Sequence, residues 1–299
     1  MNIEQELGQK LKEGVKINEP MSLHTSWQVG GPADYFLNPA DLDELIEIVR
    51  FRKKYSLPLY VIGNGTNLLV RDGGIRGMVV NIGPAFCYVK QESESLLAGA
   101  GTPMTYLARS AAEMGLGGLE FCVGIPGSLG GAVIMNAGSF GGYIGERVSS
   151  VKLVTFDAEI IKLPREELSF TYRTSNLLGR GIIVEVLLEL KKADSEESIK
   201  VMEHFLSERE KRHPDLPSAG SVFRNMPGLP AGKIIEETGC KGMKAGGAEV
   251  SCKHANFIVN TGEATAADIV GLIEQVKNMV KEDCGIELLP EVKIIGEES

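Results

Sequence analysis

Two clusters of glycine constrain the fold of this chain more than any other feature. The first, Gly63-Asn64-Gly65-Thr66-Asn67, runs on to Gly73-Gly74, and the second extends from Gly124 through Gly127, Gly130 and Gly131 to Gly138. Lacking a Cβ, glycine accepts positive φ and lets backbone approach another backbone or a ligand, while weakening any helix or strand interior it occupies. The chain holds 36 glycines in 299 residues, well above an average of about 7%. Their clustering points to two loops brought close to something.

Hydrophobic residues are 43% and charged residues 24% of the sequence, values of a soluble globular chain that can build its own core. The length predicts two domains, or one large lobe with a smaller partner. With 31 basic and 40 acidic side chains the formal net charge is −9, which argues against nucleic acid or an anionic membrane as partner. The five cysteines, Cys87, Cys122, Cys240, Cys252 and Cys284, form no Cys-x-x-Cys pair, so neither a disulfide framework nor a thiolate zinc site is suggested. The four histidines show no metal-ligand spacing, and no metal is expected. Residues 1–14 are charged where a signal peptide would be apolar, and nowhere do 18 apolar residues run together, so a soluble, cytoplasmic protein without membrane insertion is expected.

The periodicity reads as an α+β fold. Leu42, Leu45, Ile46 and Val49 recur at helical spacing after an Asp41/Glu44 capping pair, predicting a helix over 41–55. Further helices are predicted from Pro103, as first helical residue, to Gly115, over 195–212, over 231–238 and over 265–282. Strands are predicted at 57–62, 78–82, 150–156, 182–190, 256–260 and 291–295, with a small apolar strand inside the second glycine cluster. A boundary is expected near residue 205.

The first cluster sits between two strands and presents several backbone N–H groups, as either an ordinary hairpin turn or a cradle for a diphosphate. It is not a dinucleotide fingerprint, because Leu68 stands where the third glycine of G-x-G-x-x-G belongs. A P-loop would need Gly-Lys-Ser/Thr. The second cluster would let a flat ligand lie against bare backbone, or would make a tight turn with close packing.

Together with His24-Thr25-Ser26-Trp27-Gln28-Val29-Gly30-Gly31-Pro32, Tyr172-Arg173, Pro217-Ser218-Ala219-Gly220-Ser221-Val222-Phe223, His254-Ala255-Asn256-Phe257 and Pro290-Glu291-Val292, these clusters closely resemble the UDP-N-acetylenolpyruvoylglucosamine reductase (MurB) family, of the vanillyl-alcohol-oxidase-type FAD fold. Trp27-Gln28 stands where many relatives resemble Phe-Arg, and the 47 residues between Arg173 and Ser221 are few for the capping insertion of the long form, so the chain resembles the short, second type. The resemblance implies an FAD-binding domain in two lobes, 1–87 and 88–205, and a substrate-binding α+β domain, 206–299. It implies non-covalent FAD, contacted by Gly63, Asn64, Gly65, Thr66, Asn67, Gly127, Ser128, Gly131, Asn136 and Gly138, with NADPH as reductant. The small-molecule substrate implied is UDP-N-acetylglucosamine enolpyruvate, reduced to UDP-N-acetylmuramate for peptidoglycan synthesis by a protein expected to be monomeric.

That reaction requires a cation at the substrate carboxylate, hydrogen-bond donors for an enolate and a proton donor on the face away from the flavin. The resemblance assigns these to Arg173, whose forked guanidinium stays charged, to Glu291, expected to keep its proton beside a second carboxylate, and to Ser221. It adds Tyr172 and Asn225 as substrate contacts. Basic residues of the last third, among them Arg212, His213, Arg224, Lys233, Lys241, Lys244, Lys253 and His254, make that part the expected site for the nucleotide. A flavin oxidase of the same fold and a non-enzymatic flavin-binding module are the competing readings. The first loop lacks the histidine through which many such oxidases attach FAD.

Overall fold

The computed structural model describes residues 3–11 and 14–298. Of the charged amino-terminal stretch, Met1, Asn2, Lys12 and Glu13 lie outside the described residues, as does Ser299. Helices α1 (Ile3–Lys10), α2 (Leu42–Tyr55), α3 (Met104–Glu113), α4 (Leu129–Ile134), α5 (Ser195–Arg212), α6 (Ala231–Glu237) and α7 (Ala266–Cys284) alternate with short strands, the expected α+β class. The chain forms two compact units. Among the described residues, unit 1 holds those of 3–16, 35–64 and 77–209, and unit 2 those of 17–34, 65–76 and 210–298. Each has its own apolar core. The boundary expected near 205 falls inside α5, and the chain leaves unit 1 after Arg209.

Unit 1 is built on a five-stranded antiparallel sheet in the order Ile160–Pro164, Val148–Val154, Ile182–Glu189, Ser95–Gly99, Val89–Glu92. Alternation along Val148–Val154 sends Val151 and Leu153 into the core and leaves Lys152 half-buried. Leu59–Ile62 pairs in parallel with 78–81. Helix α2 starts where the sequence predicts, with the Asp41 side chain accepting from Glu44 N at 2.9 Å, and it buries Leu45, Ile48 and Val49. Pro103 is the N-cap of α3 rather than its first helical residue, extended at ψ 137°.

The apolar strand expected within the second glycine cluster is instead helix α4. Its first turn is fixed by unit 1 backbone: Leu129 N donates to Thr102 O and Gly130 N to Ala100 O, both at 2.8 Å. A Cβ on Gly130 would come within 3.0 Å of the Ala100 Cβ. Only glycine allows that approach without displacement, and once the amides are committed in this way the following Ala-Val-Ile continues helically.

In unit 2, α7 packs Ile269, Leu272, Ile273, Val276 and Val280 at helical spacing into the core. Thr265 and Asp268 form a reciprocal capping box, and Gly285 ends the helix at φ 68°. Beside it lie the antiparallel strands Lys244–Ala245, Ala248–Val250 and Ile258–Asn260, and Lys293–Ile295 pairs in parallel with Leu68–Val70. Strands expected at 256–260 and 291–295 are each two residues shorter at the start, because residues 256 and 291 bond sideways to other segments. The Trp27 indole N–H donates to Ile258 O at 2.7 Å, and Asn260 Nδ2 returns to Trp27 O at 2.9 Å.

Asp72 supplies a second cap to α7, its two carboxylate oxygens accepting from Ala266 N at 2.9 Å and Ala267 N at 2.8 Å. Asp72→Ala removes both acceptors and a negative charge from the helix N-terminus, and is expected to cost about 1–2 kcal/mol. A lower urea midpoint at unchanged slope is the expected measurement, and Asp72→Asn should keep part of the stability.

Candidate active site

Unit 1 brings Gly63 of the first cluster against Ser128 of the second: a Cβ on Gly63 would overlap the Ser128 hydroxyl. The Asn81 side chain donates to Gly63 O at 3.2 Å, fixing this point. Asn64 and Gly131 are exposed and Gly127 is half-buried at φ 140°, while Ser128 is buried as the N-cap of α4. Gly138 lies in a tight hairpin with 142–143, its α-carbon facing the Tyr143 ring. Gly63-Asn64 and 124–138 thus expose bare backbone with no carboxylate in either sequence.

Asn136 is buried at φ 43°, and its amide has two structural partners: Nδ2 donates to Thr171 O at 2.9 Å and Oδ1 accepts from Gly145 N at 3.0 Å. The Ser175 hydroxyl donates to Ile134 O at 2.9 Å. Together these fasten the hairpin 170–175 to the end of α4, and the hairpin carries Tyr172 and Arg173 at its turn. Arg173 has φ 55°, and its guanidinium lies 5.1 Å from the Tyr172 ring centre. Asn136 therefore orients the Arg173 turn whatever else it touches.

Unit 2 gathers the remaining residues. Gly65, at φ 60°, packs on the His24 carbonyl with no room for a Cβ, and its own oxygen accepts from Ser26 N at 3.2 Å. Asn67 O accepts from Lys293 N at 3.0 Å, and Asn67 Nδ2 approaches Glu291 O at 3.4 Å. Thr66, between them, is half-buried. Glu291 N donates to Val222 O at 2.7 Å, and Arg224 N to Leu289 O at 2.9 Å. Ser221, half-buried and preceded by Gly220 at φ 75°, thus lies on a segment flanked on one side by 289–291. On the other side runs 256–260: Val222 N donates to Asn256 O at 2.8 Å and Asn260 N to Pro217 O at 2.9 Å. Asn67, Ser221 and Glu291, far apart in sequence, are neighbours here. Asn225 is exposed, and its Oδ1 accepts from Ala231 N at the start of α6.

Four of the eight basic residues expected at the nucleotide face carboxylates: Lys241–Glu236 at 2.7 Å, Lys244–Glu249 at 3.2 Å, Lys233–Glu237 and Lys253–Asp215 at 3.7 Å. The Nε of Arg224 is buried and makes no hydrogen bond. His254 packs on Phe257 at 4.9 Å and on His213 at 5.9 Å between ring centres. Burial holds its pKa below the usual histidine value, with Lys241 and Arg212 acting in the same direction and its own backbone hydrogen bond and Glu236 opposing.

Residues 33–164 match the family model described as "FAD binding domain", and residues 212–295 match "UDP-N-acetylenolpyruvoylglucosamine reductase, C-terminal domain". The UDP-N-acetylenolpyruvoylglucosamine reductase of Heliobacterium modesticaldum is 49% identical over 282 residues, 93% of this chain and 90% of the relative. That of Desulforamulus reducens is 44% identical over 295 residues, 98% of this chain and 97% of the relative. The chain belongs to the UDP-N-acetylenolpyruvoylglucosamine reductase family. The crystal structure of the enzyme from Thermus caldophilus (MurB) superposes with a TM-score of 0.80 at 35% identity, covering 94% of this chain and 98% of that one. Membership in the MurB family makes the chain a flavoprotein oxidoreductase with an FAD-binding domain and a MurB C-terminal domain.

The residues present fit FAD. A dianionic diphosphate needs donors without competing carboxylates: in unit 1 residues 63–64 and 124–138, Ser128 among them, contain no acidic side chain, and in unit 2 neither do residues 65–67 with Thr66 and Asn67. The sequence reading missed the use of Asn256, whose amide holds both polar atoms of Phe223. A buried asparagine ahead of an apolar strand was the available signal, and nothing in the sequence says which carbonyl it meets.

Gly63→Ala is expected to weaken FAD retention, since overpacking against Ser128 costs about 1–3 kcal/mol. Adding Ser128→Ala removes the overlapping hydroxyl and should recover part of the loss. Flavin fluorescence released on dilution reads both effects.

The lowered pKa of His254 means that the unfolded chain takes up this proton first as pH falls. The contribution to stability is intact above the ordinary histidine pKa and lost progressively below it. Between about pH 7.5 and about pH 5.5 the wild-type urea midpoint should fall further than that of His254→Gln.

Proposed function

We propose that this chain reduces UDP-N-acetylglucosamine enolpyruvate to UDP-N-acetylmuramate with NADPH, a cytoplasmic step in peptidoglycan precursor synthesis, acting as a monomer. The observation that carries the reading is the joining of Ser221 and Glu291 on adjacent segments through the Glu291 N to Val222 O bond, with Asn67 of the glycine loop bonded to the Glu291 segment. Relatives at 44–49% identity over nearly their full length bear the reductase name.

FAD, when bound, would supply the hydride-transfer chemistry between NADPH and the methylene carbon of the enolpyruvyl ether. Gly63, Asn64, Gly65, Thr66, Asn67, Gly127, Ser128, Gly131 and Gly138 would hold it non-covalently, with Asn136 shaping the neighbouring turn. Arg173 neutralises the substrate carboxylate with a rigid fork of donors as electron density moves onto it. Tyr172 lies against that guanidinium, so it would border the same group, and Asn225 would reach the nucleotide end. Glu291 hydrogen-bonds the enolate, and Ser221 Oγ delivers the proton that converts it to the lactyl ether. The alkoxide left on Ser221 takes a proton from water.

Anaerobic NADPH is expected to bleach the flavin band of the purified protein, and the enolpyruvyl nucleotide to restore it. Ser221→Ala should leave bleaching within about twofold and slow the return by roughly 10²–10⁴-fold, the range of a lost general acid. A flavin that the enolpyruvyl nucleotide does not reoxidise overturns the substrate, and an unchanged return in Ser221→Ala removes Ser221 from the chemistry.

A further inference from the structure

Asn256 stands out among the buried polar groups of unit 2. It is 2% exposed, and its side-chain amide reproduces the pairing that a neighbouring strand would offer. Oδ1 accepts from Phe223 N at 2.9 Å and Nδ2 donates to Phe223 O at 2.8 Å, while its main-chain oxygen accepts from Val222 N at 2.8 Å. Three hydrogen bonds from one residue thereby hold the two positions that follow Ser221. Val222 O, in turn, receives Glu291 N at 2.7 Å.

Regular pairing with 256–260 could not do this. The strand Ile258–Asn260 pairs on its other edge with Ala248–Val250, and at residue 256 the main-chain N–H turns away to His254 Nδ1 at 3.2 Å. The side chain supplies what the backbone no longer can. Buried amides that satisfy a donor and an acceptor at once leave the clamped segment little freedom. Gly220, at φ 75°, precedes the clamp, so without the Asn256 side chain the segment that carries Ser221 would lose both holds on Phe223 and keep only its main-chain bonds at Val222 and Arg224.

We infer that Asn256 is a positioning residue that sets the Ser221 hydroxyl and, through Val222, the Glu291 segment for protonation of the enolate. This rests on the reading of Ser221 as proton donor. Asn256 itself touches neither substrate nor cofactor in this scheme.

The test measures both half-reactions in the FAD-loaded protein for Asn256→Ala, Asn256→Asp, Ser221→Ala and the double variant Ser221→Ala with Asn256→Ala. Asn256→Ala should leave bleaching by NADPH within about twofold while slowing reoxidation by the enolpyruvyl nucleotide by about 10–100-fold, as for a reacting group displaced by about 1 Å. In the Ser221→Ala background the same change should cost less than about threefold, since two residues acting through one group are not additive. Amide exchange of Phe223 should accelerate in Asn256→Ala. Asn256→Asp keeps the volume and the acceptor for Phe223 N–H, so it should hold that amide and show a smaller form of the same split, even where the alanine variant folds poorly. Equal slowing of both half-reactions, no slowing at all, or full additivity with Ser221→Ala overturns the positioning role while leaving the proposed reaction standing. A wild-type flavin that the enolpyruvyl nucleotide does not reoxidise overturns the proposed reaction and this inference with it.

Discussion

The bond from Glu291 N to Val222 O ties together two segments that lie some distance apart in the chain, and much of unit 2 is arranged to permit it. Val222 and Phe223 are fully buried, as is Val292 beyond Glu291, so apolar packing brings the segments together. Packing of this kind does not choose a register, because hydrophobic contact is not directional. Hydrogen bonds choose it: Asn256 fixes Phe223, Arg224 N reaches Leu289 O, and Asn67 bonds on either side of Val292. A one-residue slip would turn Ser221 and Glu291 to the opposite face of their segments.

Close backbone approach is the second constraint. Gly63 meets Ser128 in unit 1, and Gly65 meets the His24 carbonyl in unit 2. Gly65 admits no Cβ, a Cβ on Gly63 would displace the Ser128 hydroxyl, and the loop that joins them is where the chain passes from one unit's residues to the other's, between Asn64 and Gly65. A side chain at either position would force one of these neighbours to move.

Polar side chains in this protein divide into those that hold structure and those left to chemistry. Asn136 and Asn256 spend their amides on backbone, and Asp72 caps α7. Several lysines of the last third form exposed ion pairs worth little in stability. What the proposed reaction asks of this acidic chain is local, a guanidinium at the turn 172–173 and a hydroxyl after Gly220, and neither depends on net charge.

The sequence by itself determined the α+β class, the helices with strong caps and periodic apolar faces such as α2 and α7, and the two glycine clusters as places of close approach. Those features are written in neighbouring residues: a cap lies three residues from its partner, and a helix face repeats every three or four. Tertiary structure alone decided that residues 17–34 and 65–76 join 210–298 in one unit, because membership depends on which cores collapse together and not on adjacency. It also decided that 129–134 is a helix where an apolar run among glycines reads as a strand, since Thr102 O and Ala100 O, well before it in sequence, take its first amides. The chain names Asn256 and Ser221 as residue types. That one clamps the segment bearing the other is fixed by directional hydrogen bonds across 33 residues, and no local pattern encodes their direction.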